Sequence, residues 1–106
     1  MGIGPAVAIP HVLKKSGISI SDVDLFEINE AFASQALYCT HKLGIPLEKV
    51  NPQGGAIGIG HPLGTTGARQ IVTGLARTKK TGEKVFVTSM CIGSGMGMAS
   101  IVVNEQ

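Results

Sequence analysis

The chain has no tryptophan and only four aromatic residues, three Phe and one Tyr, among its 106 residues. Nucleic-acid binders usually combine stacking rings with a basic face. Here nine Lys and Arg are dispersed against seven Asp and Glu, the net charge is only +2, and the densest basic group is Arg77, Lys79 and Lys80. No nucleic-acid partner is expected. Long apolar runs are also absent: none approaches the roughly 20 residues of a helical membrane span, and Met1 to Pro10 lacks the charged start of a signal peptide. Neither a membrane span nor a secretory leader is expected. With no Cys-x-x-Cys and no His-x-x-x-His pair, no metal site is expected. The two cysteines, Cys39 and Cys91, are too few for a stapled scaffold and read as free thiols.

What is present is a composition 43% apolar and 15% charged, which describes one globular domain over residues 1–106. Pro5, the stripe Ala6, Ile9 and Leu13, the pair Lys14 and Lys15, and Gly17 predict a first helix, with Pro10 kinking it. "VDLFEI", residues 23 to 28, reads as a buried strand. The helical spacing of Phe32, Ala36, Cys39 and Leu43 predicts a second helix stopped by Gly44, with Cys39 on its inner face. "VNPQGGAIGIGHPLG", residues 50 to 64, predicts a short strand ending in a constrained loop. A third helix follows in "TGARQIVTGLAR", its expected inner face being Ala68, Ile71, Val72, Leu75 and Ala76. "KVFVTSMCI" and "GMASIVV" complete the pattern as two strands around a glycine turn. Alternating helices and strands predict a layered α/β domain on a mixed, mostly parallel sheet that ends in an antiparallel hairpin. Because the pattern opens with a helix, a preceding strand is expected upstream.

Three segments place polar residues where a core does not require them: "INEAF" at 28 to 32, "GHPLG" at 60 to 64 and "MCIGSG" at 90 to 95. Ligand sites in parallel α/β sheets gather beyond the carboxyl ends of strands, and all three segments are expected there. The candidate site is Asn29, Glu30, His61, Cys91 and the amide of Gly93 with its neighbours. Each has an ordinary alternative: Asn29 as a helix cap, Glu30 as a charge complementing a helix N-terminus, His61 as a turn residue. His11 and His41, alone in mid-helix, read as surface. Glycines 58, 60 and 64 are spaced one residue too long for the dinucleotide fingerprint, and "GTTGAR" lacks the lysine of a phosphate loop. A thiol, an imidazole and a carboxamide around exposed amides suit acyl chemistry, with proton exchange at sulfur and an oxyanion held by N–H groups.

At these segments the sequence resembles the thiolases. "NEAFA" at 29 to 33, "NPQGGAIGIGHPLGTTGAR" at 51 to 69 and "CIGSGMG" at 91 to 97 are similar to three signature blocks of that family's C-terminal half, in family order and spacing. "ALYCTHKLGI", residues 36 to 45, is most similar to the peroxisomal 3-ketoacyl-CoA thiolases of fungi and plants. Thr65 and Gly58 depart from the usual family residues without touching a reacting group. The resemblance implies that His61 activates a nucleophilic cysteine and donates to the thioester oxygen, and that Asn29 holds a water completing that oxyanion hole. It also implies that Cys91 moves the proton on and off carbon or thiol, and that the Gly93 amide serves a second oxyanion hole. Coenzyme A and acyl-CoA enter as substrates, and no further cofactor is implied.

The resemblance also implies what this chain lacks. The family's acylated cysteine belongs to its N-terminal half, and Cys39 is no substitute. Residue 1 matches a point after a strand expected at the centre of the domain's sheet, so the chain is expected to be a fragment with two unpaired strand edges. Its implied partners are an N-terminal thiolase half and, in the parent protein, a second copy in a homodimer. The implied activity is thiolytic cleavage of 3-ketoacyl-CoA to acetyl-CoA and a shortened acyl-CoA in fatty acid β-oxidation, with the isolated chain inactive. A thiolase-derived module that binds acyl-CoA or lipid, or assists assembly without catalysis, is the alternative. Peroxisomes are the implied compartment, with mitochondria and cytosol as others. Asn104, Glu105 and Gln106 are not the C-terminal peroxisomal tripeptide.

Overall fold

Pro5 in the first turn and Gly17 at φ 75° bracket helix α1, Gly4–Ser16, as their backbone preferences require. In this computed structural model, which describes all 106 residues, Ile9 and Leu13 of α1 point inward and Pro10 lies on its exposed side. Strand β1, Leu25–Ile28, is buried at all four positions. Helix α2, Ala33–Leu43, stops at Gly44 in the left-handed region. A single helical turn, α3 at Ala56–Ile59, precedes helix α4, Thr66–Thr81, and the hairpin strands β2, Val85–Ile92, and β3, Met96–Val103.

The sheet order is β1-β2-β3, with β1 parallel to β2 and β3 antiparallel to it. Side chains alternate across it. Phe26, Ile28 and Val87 join Ile9, Leu13, Val23 and Ile45 in the main core cluster on the α1 face. The intervening positions face α4: Glu27 reaches Arg69, and Phe86 packs on Gly74. The result is the layered α/β arrangement expected from the element order.

Three details correct the expectations drawn from sequence. First, β1 and β2 pair directly, from Leu25 opposite Phe86 to Ile28 opposite Ser89, so no central position is open for a further strand. The predicted pair of unpaired edges is also wrong on one side. Asn51 donates its backbone N–H to the Phe26 carbonyl at 2.8 Å, and its side chain closes both groups of Ile28, accepting from N–H at 2.9 Å and donating to C=O at 2.8 Å. Only the outer edge of β3 is open.

Second, the strand expected at Val50 is a single bridge, Phe26 to Val50. Asn51 turns the chain at φ 46° to cap the edge of β1, so a strand cannot continue, and "GHPLG" follows α3 rather than a strand end. Third, the expected inner face of α4 is exposed at Ala68, Val72, Leu75 and Ala76, and only Ile71 of it is half-buried. Its buried stripe is Thr66, Gln70, Gly74 and Thr78, while Val72 is 66% exposed. Main-chain acceptors explain the inversion: Gln70 Nε2 donates to the Glu27 and Ser89 carbonyls, and Gly74 allows the Phe86 ring against the helix backbone.

Candidate active site

Asn29 follows β1 and is fully buried, with its N–H donating to the Ser89 carbonyl at 2.9 Å. It caps no helix, since α2 begins after Phe32 and has no side-chain cap. Its carboxamide Nδ2 instead lies 3.4 Å from His61 Nε2, and its Oδ1 is buried without a hydrogen-bond partner. His61 comes to this place because Gly60, at φ 97°, turns the chain after α3 and Pro62 starts the approach to α4. On its other side the imidazole Nδ1 lies 2.6 Å from Thr66 Oγ1 in the first turn of α4. His61 as a residue is exposed, and its contact with the buried Asn29 is only partly so.

Glu30 complements the N-terminus of α3, not of the helix that follows it in sequence: its Oε1 accepts the Ile57 N–H at 3.2 Å. Gly55 leaves room for that carboxylate, since a β-carbon there would displace the Glu30 side chain. Glu30 thus sets the position of the loop that carries His61, and its carboxylate bonds to that loop rather than to Asn29 or His61.

Cys91 lies near the C-terminal end of β2, two positions beyond the end of the β1 pairing, and is 8% exposed. The backbone of Gly4 packs on it so closely that a β-carbon on Gly4 would stand 2.9 Å from Cys91 Cα. No hydrogen bond ties Cys91 to His61 or Asn29, so the structure brings the carboxamide and imidazole together and leaves the thiol under the start of α1. Gly93 opens the exposed hairpin turn, where Ser94 and Gly95 take positive φ and nothing would meet a β-carbon on Gly93. Gly97 serves packing instead. A β-carbon there would meet the Gly4 carbonyl at 2.5 Å, so this glycine admits α1 onto the hairpin.

Cys39 is fully buried, and burial pushes its thiol above the ordinary cysteine range. That environment suppresses the thiolate, the reactive form. Sequence reasoning missed a second group of polar residues behind the site. Glu27 is fully buried with Oε2 3.0 Å from Arg69 Nη1, and burial pushes its carboxyl up to about 7 despite the guanidinium. Its position inside an apolar strand was the available signal. An apolar groove of about 770 Å³ lies elsewhere, between α1 and the start of β3. No three His, Cys, Asp or Glu side chains are placed to hold a metal ion.

A parallel strand pair carries a carboxamide and a thiol at its carboxyl ends, and the loop after α3 brings an imidazole against the carboxamide, which defines an α/β domain with a polar site at that end of its sheet. Residues 1–104 match the family described as thiolase, C-terminal domain, and the chain belongs to that family. It is 66% identical over 102 residues to the rat peroxisomal 3-ketoacyl-CoA thiolase B, a match covering 95% of this chain and 24% of that protein. The crystal structure of the dimeric peroxisomal thiolase of Saccharomyces cerevisiae superposes with a TM-score of 0.92 at 60% identity, covering 98% of this chain and 26% of that one. Human mitochondrial 3-ketoacyl-CoA thiolase in complex with CoA gives 0.95 at 45% identity, covering 99% and 27%. The chain therefore spans about a quarter of the length of these relatives.

Proposed function

We propose that this chain supplies the histidine, asparagine and cysteine side of a 3-ketoacyl-CoA thiolase active site, in an acyltransferase of fatty acid β-oxidation. The observation that carries the reading is the Asn29 carboxamide held 3.4 Å from His61 Nε2 with its Oδ1 buried and unpartnered. A buried carboxamide oxygen left free beside an imidazole is costly unless it serves a bound group. A water held there, with His61, forms an oxyanion hole for the thioester oxygen.

In the reaction, a nucleophilic cysteine from the rest of the protein loses its proton to His61 and attacks the keto carbon of 3-ketoacyl-CoA. The bond between that carbon and its neighbour breaks, and the electron pair leaves as the enolate of acetyl-CoA. His61 and Asn29 stabilise that enolate through the thioester oxygen, while Cys91 delivers the proton to carbon. Cys91, left as the thiolate, then takes the proton of the incoming coenzyme A thiol, whose sulfur attacks the acyl-enzyme. The Gly93 amide holds the oxyanion of that step, and its collapse releases the shortened acyl-CoA and the nucleophilic cysteine thiolate, which recovers its proton from His61. The relatives support a peroxisomal setting and a dimeric parent, with coenzyme A and acyl-CoA as substrates.

Thiolysis of acetoacetyl-CoA by this chain alone and coexpressed with a thiolase N-terminal half tests the reading. No turnover is expected alone, and turnover in the complex should fall by about a hundred- to ten-thousand-fold in Cys91→Ala, the range of a positioned acid or base. Turnover by the chain alone, or a soluble complex without activity, overturns it.

A further inference from the structure

We infer that Thr66 is a positioning residue that fixes neutral His61 as the Nδ1–H tautomer, leaving Nε2 as the proton-accepting atom of the site. The inference rests on the proposed thiolase reading for its consequence, but not for its geometry. Thr66 Oγ1 has two close polar neighbours: His61 Nδ1 at 2.6 Å and the Pro62 carbonyl oxygen at 3.2 Å. A carbonyl only accepts, and a hydroxyl has one proton to give. If that proton goes to Pro62, the hydroxyl oxygen is free to accept from Nδ1–H, and both contacts pair a donor with an acceptor. If it goes to Nδ1 instead, two oxygen lone pairs face each other at 3.2 Å, and Nε2–H faces the Asn29 Nδ2 donor at 3.4 Å. The first arrangement satisfies all three contacts with one proton each, so the proton of neutral His61 sits on Nδ1.

Placement of Thr66 is set by the fold. It is 1% exposed at the start of the buried stripe of α4, one turn before Gln70, which the Glu27 and Ser89 carbonyls hold against the sheet. The hydroxyl is therefore held in place beside the His61 imidazole. The chemical consequence is a sequence of events at one atom. Nε2 takes the proton of the attacking thiol, the ring becomes imidazolium, and the N–H newly formed at Nε2 is the donor for the thioester oxygen. The other tautomer would present Nε2–H from the start and could not take that proton there.

The test is the imidazole nitrogen spectrum of the 15N-labelled chain, recorded with the ring neutral, for wild type, Thr66→Ser and Thr66→Val. Wild type should show a pyrrole-type Nδ1 and a pyridine-type Nε2, Thr66→Ser should keep them, and Thr66→Val, which retains the shape without the hydroxyl, should show a mixture. In the coexpressed complex, Thr66→Val should lower kcat for thiolysis by about ten- to a hundred-fold, the lower part of what a positioned base contributes, with Thr66→Ser near wild type. A pyridine-type Nδ1 in wild type overturns the inference whatever the activity. The predicted tautomer in an inactive complex would instead count against the thiolase reading and leave the tautomer assignment standing.

Discussion

Glu27 carries a buried carboxyl with one oxygen on Arg69 and the other, Oε1, without any partner, while Arg69 Nη2 is equally unpaired. A single hydrogen bond from a guanidinium does not replace the water that a carboxylate loses on burial, so its pKa rises from 4.5 to about 7. The nearby Glu30 pushes in the same direction. Because the folded state holds this proton more tightly than the unfolded chain, protonation favours folding. Stability should be greatest below about pH 4.5 as far as this residue is concerned, and should fall as pH rises to about 7. The loss is on the order of 3 kcal/mol. Urea unfolding at several pH values should show this slope in wild type and a flatter one in Glu27→Gln, whose neutral amide keeps an acceptor for Arg69. An unchanged slope in the variant would contradict the assignment.

Helix α4 owes its position to a stripe that carries no large apolar side chain. Gly74 is its tightest point, since a β-carbon there would overlap the Phe86 ring, which is itself fully buried. Alanine normally favours a helix over glycine by about 1 kcal/mol. Here Gly74→Ala should nonetheless destabilise by about 1–3 kcal/mol, the usual cost of overpacking a core, as a lowered urea midpoint would show. A stabilised variant would mean that Phe86 moves aside freely. This inversion also marks the limit of what the sequence makes legible. The ends of α1 and α2 are readable because Gly17 and Gly44 supply left-handed caps, whereas α4 runs past the expected Arg77 to Thr81 before Gly82 caps it, and β1 is readable as a short apolar run. Asn29 and His61 are readable as polar residues without a core purpose, although their contact is not. The inner face of α4 is unreadable because Thr66, Gln70 and Thr78 face inward to satisfy polar groups, an assignment that depends on Glu27, Ser89 and Asn104 far along the chain. Likewise, nothing local at Val50 indicates that Asn51 will end its strand by bonding to Ile28.

At the scale of the whole molecule, only 26 of 106 residues are buried, and the apolar surface that remains is grouped by element. Val72 and Leu75 line the outer side of α4, Phe32, Leu37 and Tyr38 that of α2, and Met96, Met98 and Val103 stand exposed on β3. The open edge of β3 is eight residues long and carries neither a charge nor a proline. Sheet proteins commonly guard such edges with lysine, proline or a bulge, because an unguarded edge pairs with other chains. The apolar groove beside it, shared with α1, adds area for such pairing. Isolated from any covering chain, this domain should therefore associate with itself, with a weight-average mass by sedimentation velocity that rises with concentration. Met98→Lys places a charge on the exposed edge at a side chain that is already 60% accessible, so it should restore monomer while leaving the fold intact. Coexpression with a thiolase N-terminal half should have the same effect if the faces that drive association are those the larger protein covers. A wild-type chain that stays monomeric at all concentrations would show that the edge of β3 is protected by twist or side-chain cover within this chain.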